Sequence, residues 1–156
     1  MRIAIGSDHR GTSVVARLEE WMRGEGHQVL PVGVCTGESC DYPDAAWAVA
    51  RAVAGGDADR GVLVCGSGIG VSMAANKVDG VRAALVHEAE AATMTRRHND
   101  ANVLCLSGER VSPQQAVGIV HAFLETAFEG GRHARRVAKM AAIESGTDPS
   151  TVAAAD

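Results

Sequence analysis

The stretch Gly61-Val62-Leu63-Val64-Cys65-Gly66-Ser67-Gly68-Ile69-Gly70 joins a short apolar run to a glycine-rich turn. A short continuous apolar run is typical of a parallel strand that is buried on both faces. Residues 71–77 follow the turn and have the composition of a helix. The pattern predicts that Cys65 ends a strand beside a bare backbone loop and a helix start, which is where open α/β sheets bind ligands.

Strand-like and helix-like segments alternate on both sides of this stretch. Apolar runs predict strands over residues 2–6, 28–32, 61–65, 81–86 and 102–106. Helical spacing, with proline at starts and glycine at ends, predicts helices over residues 12–23, 43–54, 70–77, 88–97 and 113–127. The alternation predicts a Rossmann-like three-layer α/β/α sandwich with a five-stranded parallel sheet.

Two segments fall outside the alternation. Residues 130–140 predict an extra basic helix at the C-terminal end, beyond the last strand–helix unit. The segment 145–156 is small and polar, and we expect it to be a flexible tail. Because 156 residues are too few for two domains of ordinary size, we expect a single domain over residues 1–144.

Composition argues against several classes of function. The formal net charge of −4 gives no electrostatic support for binding nucleic acid or a membrane surface. No apolar run approaches the ~20 residues of a membrane helix, and the start of the chain does not resemble a secretory signal, so we expect a cytoplasmic protein. A reducing compartment disfavours a disulfide between Cys35 and Cys40. No histidine or cysteine spacing is typical of a zinc site, so we expect no metal.

The glycine-rich turn matches none of the common nucleotide-binding or nucleophile motifs. Val71 stands where a dinucleotide fingerprint has its last glycine, and no Gly-Lys-Ser/Thr follows. Cys65 stands where a nucleophile elbow has its first glycine. Two interpretations remain: a tight strand-to-helix turn, or a backbone nest that holds an oxyanion or a phosphate.

Polar residues follow the first predicted strand and precede the second predicted helix. Asp8 and His9 fall at the sheet edge that is predicted for Cys65, so they either bind a ligand or lead into the next helix, with Ser7 or Asp8 as its N-cap. Tyr42 lies in the stretch 41–44. The purely structural interpretation of this stretch is a turn that starts a helix.

Basic residues near the ends of two other helices also have two interpretations. His98 either complements a helix dipole, with Asn99 closing that helix, or acts as a general acid or base. Arg132 and Arg136 share a helix face. This face is either exposed to solvent or binds phosphate, because the guanidinium fork matches phosphate oxygens.

Six short motifs occur in a fixed order along the chain. They are Gly6-Ser7-Asp8-His9, Asp41-Tyr42-Pro43-Asp44, Cys65-Gly66-Ser67-Gly68-Ile69-Gly70, Ala74-Ala75-Asn76-Lys77, His98-Asn99-Asp100-Ala101-Asn102 and Gly130-Gly131-Arg132-His133-Ala134-Arg135-Arg136. Each motif is weak alone, but all six together resemble the ribose-5-phosphate isomerase B family. That family also contains allose-6-phosphate, galactose-6-phosphate and tetrose-phosphate isomerases, and the resemblance covers residues 1–144.

The resemblance implies an aldose–ketose isomerase without a cofactor, which interconverts ribose 5-phosphate and ribulose 5-phosphate in the pentose phosphate pathway. A base would remove the proton from the carbon beside the carbonyl and give an enediolate. One branch of the family has this base at the position of Cys65, and the other uses a glutamate six residues later. That later position is Val71 here, so the resemblance implies that Cys65 is the base.

The resemblance also implies roles for the other residues. Ser67 and the backbone N–H groups of its loop would face the enediolate oxygen, His98 would open the sugar ring, and Asp8 would assist by hydrogen bonding to the sugar. The loop glycines are Gly66, Gly68 and Gly70. Tyr42 and Asn99 would orient the hydroxyl groups of the substrate. The implied phosphate ligands are His9, Arg132 and Arg136, with Arg110 as a further candidate.

Members of this family are dimers or tetramers whose active sites draw on both subunits, so the resemblance also implies a homodimer or a tetramer. Other functions remain open at this point. The substrate is either the five-carbon sugar phosphate or another one, such as allose 6-phosphate or erythrulose 4-phosphate. Two functions other than isomerisation also remain open. One is a non-catalytic module that binds a phosphosugar, and the other is a cysteine hydrolase with Cys65 as nucleophile and His98 as its base.

Overall fold

The computed structural model describes residues 1–153. The strands are β1 (Arg2–Ser7), β2 (Gln28–Val34), β3 (Arg60–Cys65), β4 (Ala83–Leu85) and β5 (Val103–Ser107). The helices are α1 (Thr12–Gly24), α2 (Tyr42–Ala54), α3 (Ile69–Ala75), α4 (Ala89–Asn99), α5 (Pro113–Glu125) and α6 (Arg132–Glu144), followed by a 3-10 turn over Pro149–Thr151. The strands form one parallel sheet in the order β2-β1-β3-β5-β4. The predicted fold class is confirmed.

Each strand that the sequence predicts is present, although the edge strand β4 is shorter than the predicted range 81–86. The side chain of Asn76 pairs with the outer edge of β4 at one residue, as a neighbouring strand would. It donates to the Ala83 carbonyl and accepts from the Ala83 N–H, both at 2.8 Å. A side chain that pairs with the backbone of an edge strand blocks pairing with another chain. Asn76 also ends α3, which is shorter than the predicted helix.

The sheet is packed on both faces, as the continuous apolar runs predict. On one face, residues such as Ile5, Val62 and Leu104 pack with α1 and α5. On the other face, Leu63 and Cys105 pack with the small side chains of α2 and α3. The two faces together hold the buried core of the chain and position the strand ends.

The extra helix α6 extends to Glu144, beyond the predicted end at residue 140. Its last residue contacts the body of the chain, because the Glu144 carboxylate accepts from the Gly80 N–H at 2.8 Å. The predicted flexibility of the segment 145–156 stays a prediction, and residues 154–156 lie outside the described residues. No helix within residues 1–153 has both the length and the apolar composition that crossing a membrane requires.

The expectation that Cys35 and Cys40 stay reduced is wrong, because the structure joins them by a disulfide. The N–H of Cys35 donates to the Ser7 carbonyl at 3.0 Å, so Cys35 prolongs the pairing of β2 with β1. The chain then turns back, and the two Cα atoms come within 5.8 Å of each other, a separation that a disulfide spans. The disulfide therefore closes the loop that leads into Tyr42.

We predict that the unfolded, unreduced protein has two titratable thiols, those of Cys65 and Cys105, and four after reduction. A chromogenic thiol reagent in denaturant measures both numbers, and four thiols before reduction would contradict the disulfide. Replacing Cys35 and Cys40 together by serine releases a short loop in the unfolded chain. We expect the free energy of unfolding, measured with urea, to fall by about 2 kcal/mol.

Candidate functional site

Cys65 ends β3 at the carboxyl edge of the sheet, and its side chain is almost fully buried. The N–H of Gly68 donates a hydrogen bond to the Cys65 sulfur at 3.1 Å. Gly68 has a positive φ of 77°, and a Cβ on it would lie 2.4 Å from Leu85 Cδ1. Only glycine fits this position. The glycine therefore allows the loop backbone to turn an N–H toward the sulfur.

The loop after Cys65 presents further donors. The N–H groups of Ser67 and Gly70 donate no hydrogen bond within residues 1–153. The Ser67 side chain is exposed, and its hydroxyl oxygen accepts from the Ile69 N–H at 3.3 Å. Unpaired backbone N–H groups beside a thiol are suited to stabilise negative charge that develops on a bound oxygen.

Asp8 and His9 follow β1 at the same edge of the sheet. The Asp8 N–H donates to the Val64 carbonyl at 3.2 Å, next to Cys65 in the chain. Asp8 is buried, and its carboxylate accepts from the Arg10 N–H at 2.9 Å. The alternative that Asp8 caps α1 is wrong, because the N-cap is Gly11 and has no side-chain bond. Asp8 closes a turn in front of the helix, and His9 is exposed beside it.

Tyr42 begins α2 and lies against the glycine-rich loop. A Cβ on Gly70 would come within 2.6 Å of Tyr42 Cε2, so the tyrosine ring lies directly over this glycine. The ring is 43% exposed, which leaves its outer side open to a ligand. The side chain is thus placed beside the loop that follows Cys65.

The turn that follows β5 holds the other side of the loop. Gly108 donates its N–H to the Cys65 carbonyl at 2.8 Å, and Glu109 donates its N–H to the Gly66 carbonyl at 3.2 Å. The Glu109 carboxylate forms an ion pair with Arg10 across Gly66. Arg110 is the next residue and is exposed at this edge.

His98 and Asn99 lie at the opposite edge of the sheet. Helix α4 follows the carboxyl end of β4 and runs back along the sheet, and Asn102, which comes after it, accepts from the N–H of Gly61 at the start of β3. Gly61 is roughly 13 Å from Cys65 along the strand at 3.3 Å per residue. A single chain therefore does not bring His98 or Asn99 to Cys65.

Asp100, not Asn99, closes α4 in the left-handed conformation, with φ at 47°. Aspartate tolerates this conformation better than most residues. Its carboxylate is held by Arg82 at 2.9 Å and by the buried Arg96 at 2.7 Å. Because Asp100 makes the turn, Asn99 is left exposed at the helix end.

The ring of His98 stacks on that of His133, with centroids 4.1 Å apart and planes within 2°. The Nε2 atom of His98 lies 3.5 Å from the Glu129 carboxylate. Burial lowers the pKa of His133, and the neighbouring His98, Arg132 and Arg136 lower it further. His133 is therefore a neutral partner of His98 near neutral pH.

Arg132 and Arg136 are exposed on the first turns of α6, next to His133 and thus on the same side as His98. A cavity of about 610 Å³ lies along α6, and Asn99 is on its wall. The predicted site residues thus form two groups. The carboxyl-edge group is Asp8, His9, Tyr42, Cys65, Gly66, Ser67, Gly68, Gly70 and Arg110, and the amino-edge group is His98, Asn99, Arg132 and Arg136.

One cluster of possible metal ligands occurs within the described part of the chain. Ligand atoms of His98, Glu129 and His133 lie within 4.8 Å of one another. The two imidazole planes are parallel and stacked, so their nitrogen lone pairs run in parallel planes and do not converge on one ion. This arrangement is suited to a hydrogen-bonded, stacked histidine rather than to a metal centre.

The sequence interpretation missed the residues that support the two groups. Glu129 and His133 contact His98, and Ser107 and Glu109 contact the carbonyl of Gly66. His133 falls within one of the quoted motifs, but no spacing in the sequence indicates that the start of α6 meets the end of α4. Contacts between distant segments depend on helix packing, which a residue pattern does not encode.

The chain is similar to known proteins over most of its length. The family model described as Ribose/Galactose Isomerase matches residues 3–140. The ribose-5-phosphate isomerase B of Escherichia coli is 43% identical over 143 residues, covering 92% of this chain and 96% of that protein. A structure of ribose-5-phosphate isomerase B from Clostridium thermocellum has a TM-score of 0.92 and 44% identity, and it covers 94% of this chain and 99% of that one.

A second similar structure contains a sugar phosphate. Ribose-5-phosphate isomerase B from Mycoplasma genitalium, with bound ribulose-5-phosphate, has a TM-score of 0.85 and 43% identity. The similarity covers 94% of this chain and 97% of that one.

We predict that Gly70→Ala displaces the Tyr42 ring without unfolding the chain. The new Cβ would overlap the ring, while alanine is the better helix former, so the free energy of unfolding should change by less than about 1 kcal/mol. Tyr42 is the single tyrosine of the chain, so its ring resonances in an NMR spectrum report the displacement. Gly118→Ala, which adds a Cβ in open space on α5, is the control. Unchanged tyrosine resonances in Gly70→Ala would contradict the contact.

Proposed function

The chain belongs to the ribose/galactose isomerase family, and on that premise we propose that it interconverts ribose 5-phosphate and ribulose 5-phosphate. The observation that carries the proposal is the thiol of Cys65 at the end of β3, next to the N–H of Gly68 and to unpaired loop donors. A binding module needs no such base. Relatives that are named for the five-carbon substrate support this choice over a four- or six-carbon sugar phosphate.

We propose that Cys65 is the base. As a thiolate it takes the proton from C2 of the open-chain aldose, and the carbonyl oxygen on C1 becomes the oxygen of an enediolate. The N–H groups of the loop, together with the Ser67 hydroxyl, face that oxygen and stabilise its charge. The Cys65 thiol then returns a proton to C1, the proton of the C2 hydroxyl passes to the C1 oxygen, and a carbonyl forms at C2, so the reaction needs no external oxidant or reductant.

Asp8 and Tyr42 are proposed to hold the substrate over the thiol. Asp8 is buried at the end of β1 with its carboxylate fixed by the Arg10 N–H, so it is a rigid acceptor for a sugar hydroxyl. Tyr42 covers Gly70 with one side of its ring and leaves its other side exposed.

We propose that the active site is completed by a second copy of the chain. His98, which would open the sugar ring, and Asn99, which would orient a hydroxyl, lie at the sheet edge opposite Cys65. Three large apolar side chains are exposed on α2 and α3, two helices that contact each other: Trp47 by 62%, Ile69 by 54% and Met73 by 63%. Their exposure on these two helices fits a face that a partner subunit covers.

The phosphate group is proposed to bind between the two copies. His9 and Arg110 are exposed at the carboxyl edge, and Arg132 and Arg136 are exposed at the amino edge. Guanidinium groups bind phosphate oxygens in a bidentate manner, and cations from two chains would neutralise the doubly charged group. Binding the phosphate in this way would hold the sugar chain over Cys65.

We also propose that residues 1–144 act as one isomerase domain and that the protein works in the cytoplasm. Both clusters of the core draw on segments spread over most of that range. A charged sugar phosphate stays in the compartment in which it is made, because burying its charge in a bilayer is costly. The Cys35–Cys40 disulfide is of a kind that is more common in oxidising compartments.

We predict that Cys65→Ala lowers kcat for the five-carbon pair by about 10²–10⁴-fold, because general-base catalysis is lost. The matched control is Cys105→Ala, which removes a thiol on the neighbouring strand whose pKa is raised by burial. The assay follows ribulose 5-phosphate formation and exchange of the transferred proton with deuterated water. Full activity of Cys65→Ala would contradict the base assignment, and sugar-phosphate binding without turnover by the parent would indicate a binding module.

We predict that two inactive variants restore activity when they form mixed dimers. Cys65→Ala lacks the base, and His98→Ala lacks the ring-opening group of the other edge. If each site takes one group from each chain, random mixing rebuilds one intact site in half of the dimers, which gives about a quarter of the parent activity. The two variants are mixed in mild denaturant so that they exchange subunits, and the isomerase activity of the mixture is then measured. A mixture that stays inactive, although mass spectrometry detects mixed dimers, would contradict a shared site.

A further inference from the structure

Ser107 ends β5 beside the glycine-rich loop, and its side chain is fully buried. Its hydroxyl donates to the Gly66 carbonyl at 2.6 Å. The same hydroxyl oxygen accepts from the Arg110 N–H at 3.2 Å. A hydroxyl has one proton to donate, and because its oxygen already serves the Arg110 N–H, the proton is directed to Gly66.

The carbonyl of Gly66 decides how the next N–H is oriented. The peptide unit is planar and trans, so the Gly66 carbonyl and the Ser67 N–H point in opposite directions. Ser107 and the Glu109 N–H both hold that carbonyl on the side of β5. The Ser67 N–H therefore points away from β5, and it has no acceptor within the described residues.

We propose that Ser107 is a positioning residue for the isomerisation. It fixes the peptide plane between Gly66 and Ser67, so that the Ser67 N–H is already aimed at the oxygen of the enediolate when the substrate binds. A donor that is oriented in advance needs no reorganisation as charge develops. This inference rests on the proposed function, because the oxygen it serves is that of the isomerase intermediate.

Ser7 supplies a matched control within the same sheet. It ends β1 as Ser107 ends β5, and both side chains are fully buried. The hydroxyl of Ser7, however, has no hydrogen-bond partner within residues 1–153. Removing an unpaired buried hydroxyl relieves an unfavourable burial, whereas removing that of Ser107 takes away two hydrogen bonds.

The test compares Ser107→Ala with Ser7→Ala and the parent. We expect Ser107→Ala to lower kcat by about 10–100-fold, less than the largest losses of a direct oxyanion donor. We expect KM to change by less than about threefold, because the substrate-binding side chains keep their places and only donation to the later oxyanion is weakened. Ser7→Ala should keep both kinetic constants. Thermal unfolding confirms that the assays use folded protein.

A spectroscopic measurement tests the geometry without turnover. The amide nitrogen resonance of Ser67 depends on the hydrogen bonds accepted by the Gly66 carbonyl of the same peptide unit. In isotopically labelled protein, the Ser67 amide nitrogen resonance should shift in Ser107→Ala and keep its position in Ser7→Ala. Should Ser107→Ala fail to fold, Ser107→Cys keeps the volume of the side chain but has only a weak donor, and it carries the same expectations.

The outcomes separate this inference from the proposed function. An active parent with an unaffected Ser107→Ala kcat overturns the positioning role alone. An unchanged Ser67 resonance, or an equal loss of activity in Ser7→Ala, also overturns it. A parent that turns over no sugar phosphate overturns the proposed function and the inference with it.

Discussion

The common direction of the five strands is the constraint on which the placement of every predicted site residue depends. All carboxyl ends of the strands meet at one edge, which gathers Asp8, Cys65 and the turn after β5. Each returning helix must then end at the other edge, and α4 therefore carries His98 away from Cys65. A parallel sheet thus separates strand-end residues from helix-end residues by the length of a strand. A site that uses both kinds of residue is assembled from two sheets.

The environment of Cys65 depends on close approaches that only glycine permits. Gly68 adopts a left-handed conformation against Leu85 and turns its N–H toward the sulfur. At the other end of β3, a Cβ on Gly61 would lie 2.7 Å from Val49, so the missing side chain allows α2 to lie close to the sheet. The position of α2 in turn places Tyr42 over the loop. These glycines thus affect the site by allowing neighbouring elements to come close, and they take no part in the chemistry themselves.

The sequence predicts the fold well because local patterns and global architecture agree. Each apolar run is short and alternates with a helical pattern. This alternation favours a single parallel sheet over other arrangements of the strands. Errors occur where a contact between segments decides the outcome: the Asn102 side chain accepts from the Arg82 N–H just before β4 begins, and Asp100 closes α4 because Arg82 and Arg96 hold its carboxylate. The disulfide of Cys35 and Cys40 is not predicted from the sequence, because the redox compartment says nothing of the turn that brings the two Cα atoms within 5.8 Å.

The candidate site is less predictable than the fold, because a residue's chemistry depends on its position in the sheet. Cys65 and Cys105 belong to the same apolar cluster on adjacent strands, and their residue type gives no reason to prefer either. Cys105 lies two residues before the end of β5, among paired strands, where burial raises the pKa of its thiol and keeps it neutral. Cys65 is the last residue of β3, where the ladder stops and backbone N–H groups are left without strand partners. The position at the end of the strand, rather than the residue type, distinguishes Cys65 as the proposed base.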